Sequence, residues 1–244
     1  MSGHSHAKTI KHQKNITDQK RGQVFSKLAR VISVAVKEGG PNPETNYKLR
    51  IAMEAAKASN MPKENVERAM KKGSGDGEGE KLEEVVFEAY GPGGVAVIIE
   101  GIADNKNRAL GEVKQALNQF GGKLVGEGGV RWMFERKGTV TVNPGDQTEG
   151  SKSKEELELL AIEVGAQDIY WHDELLDIYT KPEELEQTKK SLEQKGIKID
   201  SYSLDWVPKE EIAVDEQSKG GCQKLFDALD ELESVQDIYS NIKL

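Results

Sequence analysis

Apolar residues early in the chain recur at helical spacing. Val24, Leu28, Val31 and Ala35 follow one another at intervals of three and four, Phe25 and Ile32 widen the stripe, and Thr17-Asp18 stands where a helix should start. The run Gly39-Gly40-Pro41-Asn42-Pro43 must end that helix, because proline lacks the amide donor and restricts the residue before it. A second helix is predicted from about Pro43 to Ser59, with Leu49, Met53 and Ala56 on one face, and Pro62 opens a third that ends near Gly73. Three short helices make a small bundle. The alternating glycines of GSGDGEGE favour no regular element, so residues 73–80 read as a linker and a domain boundary.

Period-two patterns take over next. Val85 to Tyr90 and Val95 to Gly101 are strand-like runs joined by Gly-Pro-Gly-Gly; residues 107–120 form an amphipathic helix with Leu110, Val113, Leu117 and Phe120 inward; strands resume at Lys123–Val125 and Val130–Phe134. A further unit follows from the order strand 138–142, helix 154–164, strand 168–172, strand 175–180, helix 182–195, strand 198–206, which is the βαββαβ order of a ferredoxin-like sandwich. The last helix, 217–233, and last strand, 236–240, lack partners unless they return to the sheet of residues 85–134. The expected fold is therefore an α+β multidomain chain. It has a basic helical domain at 1–79, a discontinuous α/β domain at 80–136 plus 207–244, and an inserted ferredoxin-like domain at 137–206. QDIY occurs at 167–170 and again at 236–239, each time after a helix, a short internal echo.

Composition changes this picture in one respect. The 244 residues carry a formal charge of -8, but residues 1–72 hold 15 Lys+Arg against 6 Asp+Glu, a net +9, and the rest of the chain holds 19 against 36, a net -17. Such segregation signals a nucleic-acid-binding segment attached to a solubilising or partner-binding body. No apolar run approaches the roughly twenty residues that span a bilayer, and Met1 to His12 has no apolar stretch of signal-peptide length, so the expected location is the cytoplasm. A single cysteine, Cys222, excludes an intramolecular disulfide.

The motifs of catalysis are missing: no P-loop, no GxSxG elbow and no HExxH pair. His172 lies in an alternating pattern and reads as an exposed strand residue, Cys222 as a half-buried structural one, and Trp132 and Phe134 as core packing of one strand face rather than a recognition platform. Glutamates at 155, 156 and 158 and at 183, 184 and 186 suit helix first turns, where the macrodipole favours anions. Asp104, Asn105 and Arg108 beside the glycine-rich hairpin are the residues an enzymatic reading would use. His4, His6 and His12 lack a cysteine and a rigid element to fix them on a metal, so no metal and no cofactor is expected. They join Lys8, Lys11, Lys14, Lys20 and Arg21 in meeting a polyanion. Phe25 and Tyr47 are the only aromatics of residues 1–72, which supplies base stacking poorly and favours phosphate contacts to duplex DNA or structured RNA. Lys71-Lys72 either extends that surface or serves a helix C-terminus.

Six collinear stretches, SGHSHAKTIKH, KRGQVFSKLARVISVAVKEGG, NMPKENVERAMKKG, YGPGGVAVIIE, ADNKNRALGEVKQAL and GVRWMFERKG, together resemble the YebC/PmpR family. The resemblance spans essentially the whole chain. It implies three domains, cytoplasmic location and transcriptional regulation by DNA binding; it also implies kinship with a mitochondrial translational activator of cytochrome c oxidase and with factors acting on ribosomes stalled at proline-rich stretches. His6 and Ala7 stand where the family has Lys and Trp, which exchanges a permanent cation for a titratable one. Nucleic-acid contacts are expected at His4, Ser5, Lys8, Lys11, His12, Lys14, Lys20, Arg21, Lys27 and Arg30. Nucleic acid, as duplex DNA or structured ribosomal RNA, is the expected partner and the ribosome a second one, with no membrane and no small-molecule substrate. The expected role is a non-enzymatic regulator of gene expression.

Overall fold

A computed structural model describes residues 18–75, 82–147, 152–172 and 174–243. Three helices come first: α1, Asp18–Gly39; α2, Tyr47–Ala58; and α3, Lys63–Gly73. Their shared core is made by Leu28, Ile32, Ala35, Leu49, Ala52, Ala56 and Ala69, with Phe25, Met53 and Val66 packed against it. The second helix starts at Tyr47 rather than at Pro43. Asn46 is its N-cap, accepting a hydrogen bond from the amide of Leu49 while its own side-chain amide donates to the carbonyls of Ala35 and Gly40, and so ties the second helix to the end of the first. Gly73 sits where α3 touches α1, and a Cβ there would meet the Ser33 carbonyl oxygen at 2.4 Å.

The first sheet contains β1, Glu83–Tyr90; β2, Ala96–Ala103; β3, Lys123–Val125; and β8, Val235–Ser240. Its order is β3-β1-β2-β8, antiparallel throughout. Helix α4, Lys106–Gln119, contacts β1 and β3, while α7, Glu216–Asp230, contacts β8 and α4. Val113, Leu117, Leu225, Phe226 and Leu229 are buried on these two helices. The register of β2 against β8 shifts at Gly101, where a Cβ would lie 2.2 Å from the Ser234 carbonyl oxygen.

The second sheet contains β4, Phe134–Val142; β5, Asp168–His172; β6, Leu175–Thr180; and β7, Ser201–Pro208, with α5, Lys154–Glu163, and α6, Leu185–Gln194, between them. Its antiparallel order, β5-β6-β4-β7, places the first strand between the third and the fourth, which is the ferredoxin-like arrangement that the element order predicts. By contacts the described residues form two compact units. The bundle and first sheet, through Arg131 and with Val214–Ser240, make one; Trp132–Ala213 with residues 241–243 make the other. The inserted unit is wider than 137–206 because β4 begins at Phe134, β7 runs to Pro208, and Ile212 bridges to Ile242. Both QDIY copies lie on edge strands, β5 and β8.

Residues 131–133 differ from the expected strand. They form a 3-10 turn, and Trp132 is 64% exposed while Phe134 is buried. The cause is Glu88 on β1. Its buried carboxylate accepts hydrogen bonds from the amides of Gly128, Val130 and Arg131, which removes those donors from any ladder and holds the loop in a tight turn. Burial by itself would raise the Glu88 pKa, but these three bonds and the Arg131 guanidinium 3.4 Å away outweigh it and hold the pKa below the usual carboxylate value.

Candidate nucleic-acid interface

The sequence-predicted contacts fall into three groups. His4, Ser5, Lys8, Lys11, His12 and Lys14 lie outside the described residues, as does the histidine set considered for a metal. Lys20 and Arg21 are exposed in the first turn of α1. Lys27 and Arg30, about two and three turns further on, point at acidic groups at the end of α7. The Lys27 ammonium lies 2.8 Å from the Asp230 carboxylate and donates to the Asp230 carbonyl at 2.6 Å. The Arg30 guanidinium lies 2.6 Å from the Glu233 carboxylate and also donates to the carbonyls of Glu233 and Ile102. Their side chains retain only 16% and 18% exposure. Gln23, one turn earlier, donates to Glu231 at 2.8 Å. Lys37, on the same edge, donates to the Leu82 carbonyl, and Lys48 bridges Glu38 and Glu84.

Among the described residues, further exposed cations of the bundle are Lys57 on α2 and a group on α3. Arg68 and Lys71 face solvent in its last two turns beside Lys72, and Lys63 pairs with Glu67 at its start. The sequence expectation does not include Arg68, although its spacing of three and four to Lys71 and Lys72 puts the three on one face. Between α2 and α3 lies an open, mostly apolar groove of about 510 Å³ lined by Met53, Met61, Val66 and the stems of Arg50 and Lys57.

The groups weighed for chemistry have local roles. Asn105 is the N-cap of α4, accepting from the amides of Asn107 and Arg108, and Asp104 pairs with Arg108 one turn away. Cys222 is buried on α7 against the Pro92 carbonyl, and burial raises its thiol pKa to about 11. His172 is half-buried rather than exposed, with Nδ1 3.3 Å from the Asp177 carboxylate, because Asp177 lies two positions along the partner strand from its ladder mate Leu175. Glu155 and Glu156 occupy the first turn of α5, where Ser153 and Glu156 form a capping box. Among the described residues no group of three His, Cys, Asp or Glu is placed to hold a metal ion, and no helix is long and apolar enough to cross a membrane.

A cationic three-helix module joined to an acidic α/β body with a ferredoxin-like insertion describes a class of multidomain protein with its charge divided between domains. Comparison with known proteins identifies which one. Residues 5–76 match the model of the TACO1/YebC protein N-terminal domain, and residues 82–242 that of the TACO1/YebC second and third domain. The chain belongs to the TACO1/YebC family. It is 45% identical to a protein of Halothermothrix orenii over 100% of this chain and 96% of that one. It is 46% identical to one of Aquifex aeolicus, again over 100% and 96%. Each is called a probable transcriptional regulatory protein, a regulator's name rather than an enzyme's. The crystal structure of a conserved hypothetical protein from Aquifex aeolicus superposes with a TM-score of 0.88 at 46% identity, covering 96% of this chain and 95% of that chain.

Proposed function

We propose that the protein is a cytoplasmic, non-enzymatic regulator of gene expression that binds duplex DNA through its N-terminal domain, in keeping with the names of its relatives. The observation that carries this reading is the separation of charge, +9 on residues 1–72 against -17 on the rest, with Lys20, Arg21, Arg68 and Lys71 exposed on the cationic side. Contacts of this kind bind phosphates, so affinity falls steeply with salt and varies little with sequence. The test is the affinity of the full chain for duplex DNA across a salt series, with Lys20→Glu/Arg21→Glu beside it. The variant is expected to bind more weakly to every sequence and to show a flatter salt slope. Unchanged affinity would remove the basis of the proposal.

A second reading has its own support. Of the two helices joined by the short 59–62 turn, α3 would be the one to enter a major groove, yet its outer face presents Glu64 and Glu67 among the cations. A mixed face suits recognition of folded RNA by shape and backbone better than base reading in DNA. Under this reading the protein acts on ribosomes. Co-sedimentation with ribosomes in the presence of excess duplex DNA separates the two: retention favours the ribosome, and sequence-dependent displacement by DNA favours transcription.

A further inference from the structure

The carboxylates facing α1 are placed where helix physics disfavours them. Asp230 is the last residue of α7, and Glu231 and Glu233 follow at once, so three anions crowd the negative end of the macrodipole together with the carbonyls left unbonded there. Cations beside such an end stabilise it. Gln23, Lys27 and Arg30, at positions i, i+4 and i+7 along one edge of α1, supply a hydrogen bond and two ion pairs to those carboxylates, and Lys27 and Arg30 donate to the carbonyls of Asp230 and Glu233 as well.

The apolar part of this joint is small. Val34 of α1, Leu82 and Ile102 form a cluster of three buried residues, with Val31 at its margin. Among the described residues the other contacts are polar: the three at the end of α7, the Arg30 hydrogen bond to the Ile102 carbonyl, the Lys37 hydrogen bond to Leu82, and the Lys48 ion pair with Glu84. A joint with so little apolar area and so many ion pairs resembles a transient interface more than a core. It is open to competition from another polyanion.

We propose that Asp230, Glu231 and Glu233 occupy, in the free protein, part of the phosphate-binding edge of α1, and that nucleic acid displaces them. The proposal rests on the nucleic-acid reading above. The carboxylates act as internal stand-ins for phosphate: each bears an anionic oxygen pair, as a phosphodiester does, and each engages a side chain suited to either. Lys20 and Arg21, exposed at the start of the same helix, make the first contact, and Lys27 and Arg30 are added as the acidic turn leaves. The full set of contacts is available only in the opened form, so the apparent affinity of the whole chain is lowered by the fraction that is closed.

The test measures binding of full-length protein to a labelled DNA duplex and, separately, to a labelled ribosomal RNA hairpin, by fluorescence anisotropy across a salt series. Wild type is compared with Asp230→Asn/Glu231→Gln/Glu233→Gln and with a control, Glu174→Gln/Glu183→Gln/Glu210→Gln, which removes the same charge from exposed positions elsewhere. The first variant is expected to bind about tenfold more tightly, an ordinary size for coupling between two sites. Its salt slope should steepen by about two, at roughly 0.9 per added phosphate contact. Adding Lys27→Gln/Arg30→Gln should erase the gain. Glu233→Gln alone, at a side chain 71% exposed, should give a smaller gain in the same direction and carries the test should the triple variant fail to fold. Equal gain in the control, or no gain by the first variant over a wild type that binds, would overturn the masking. No binding by any form to either nucleic acid would overturn the functional reading with it.

Discussion

The interior of the helical bundle and the joint that fixes it to the first sheet use the same helix with opposite chemistry. On its inner face α1 presents Leu28, Ile32 and Ala35 to Leu49, Ala52 and Ala56, a contact without charge. On its outer edge Gln23, Lys27 and Arg30 meet three carboxylates, and little apolar area is buried. Apolar burial is not screened by salt and scales with the area removed from water, whereas ion pairs that keep some exposure weaken as salt screens them, though less than fully exposed pairs do. One side of the helix therefore holds the domain together. The other side can be addressed by a charged ligand.

The sharpest way to separate the two is to damage each in turn. Leu49→Ala, at a fully buried site, should lower unfolding stability by about 2–5 kcal/mol, equally at low and high salt, in urea denaturation. Glu88 provides a harder case, because it is a charge placed in an interior. Its stability contribution, with the folded pKa held below the ordinary 4.5, is complete above that value and lost as pH falls through the lower folded value. Glu88→Gln should cost about 2–4 kcal/mol at neutral pH, since amides that lose their acceptor cost about 1–3 each, and should flatten the loss of stability in acid melts below 4.5. Asp230→Asn should cost at most about 1 kcal/mol, and the difference from wild type should shrink with added salt. The smallest effect expected is none. Cys222, on the inner face of α7, should react with a maleimide no faster at high salt than at low, even where salt weakens the ion pairs at the far end of the same helix. Faster labelling would mean that the joint and the core open together.

Much of this architecture was legible in the spacing of apolar residues. The helical stripe of residues 24–35, the βαββαβ order and the return of the C-terminal helix and strand to the first sheet all follow from period and from unsatisfied partners. The misreading at 130–134 has a definite cause. Alternation predicted a strand with Trp132 and Phe134 on one face, but a carboxylate more than forty residues away captures the amides of Val130 and Arg131, and no local pattern reveals that. His172 was misplaced for a similar reason, its neighbour Asp177 being brought close by the β5–β6 ladder. The candidate site was legible as composition only. A helical wheel puts Lys27 and Arg30 on an edge but is silent about what faces that edge. The hint available was the DELE run at the end of a predicted helix, where three anions oppose the dipole and call for cations from elsewhere.

The insertion between β3 and α7 also bears on how the chain assembles. Strand β2 pairs with β8, so Ile99 lies opposite Ile238 across most of the sequence, and contacts of such separation close slowly because loop entropy must be overcome first. The inserted sheet shortens that path. Once formed, it sets Phe134 opposite Pro208, bringing the two ends of the excursion onto neighbouring strands. The search that remains for α7 and β8 is then a short one, and the last edge of the first sheet is completed by a segment that the inserted domain has already carried home.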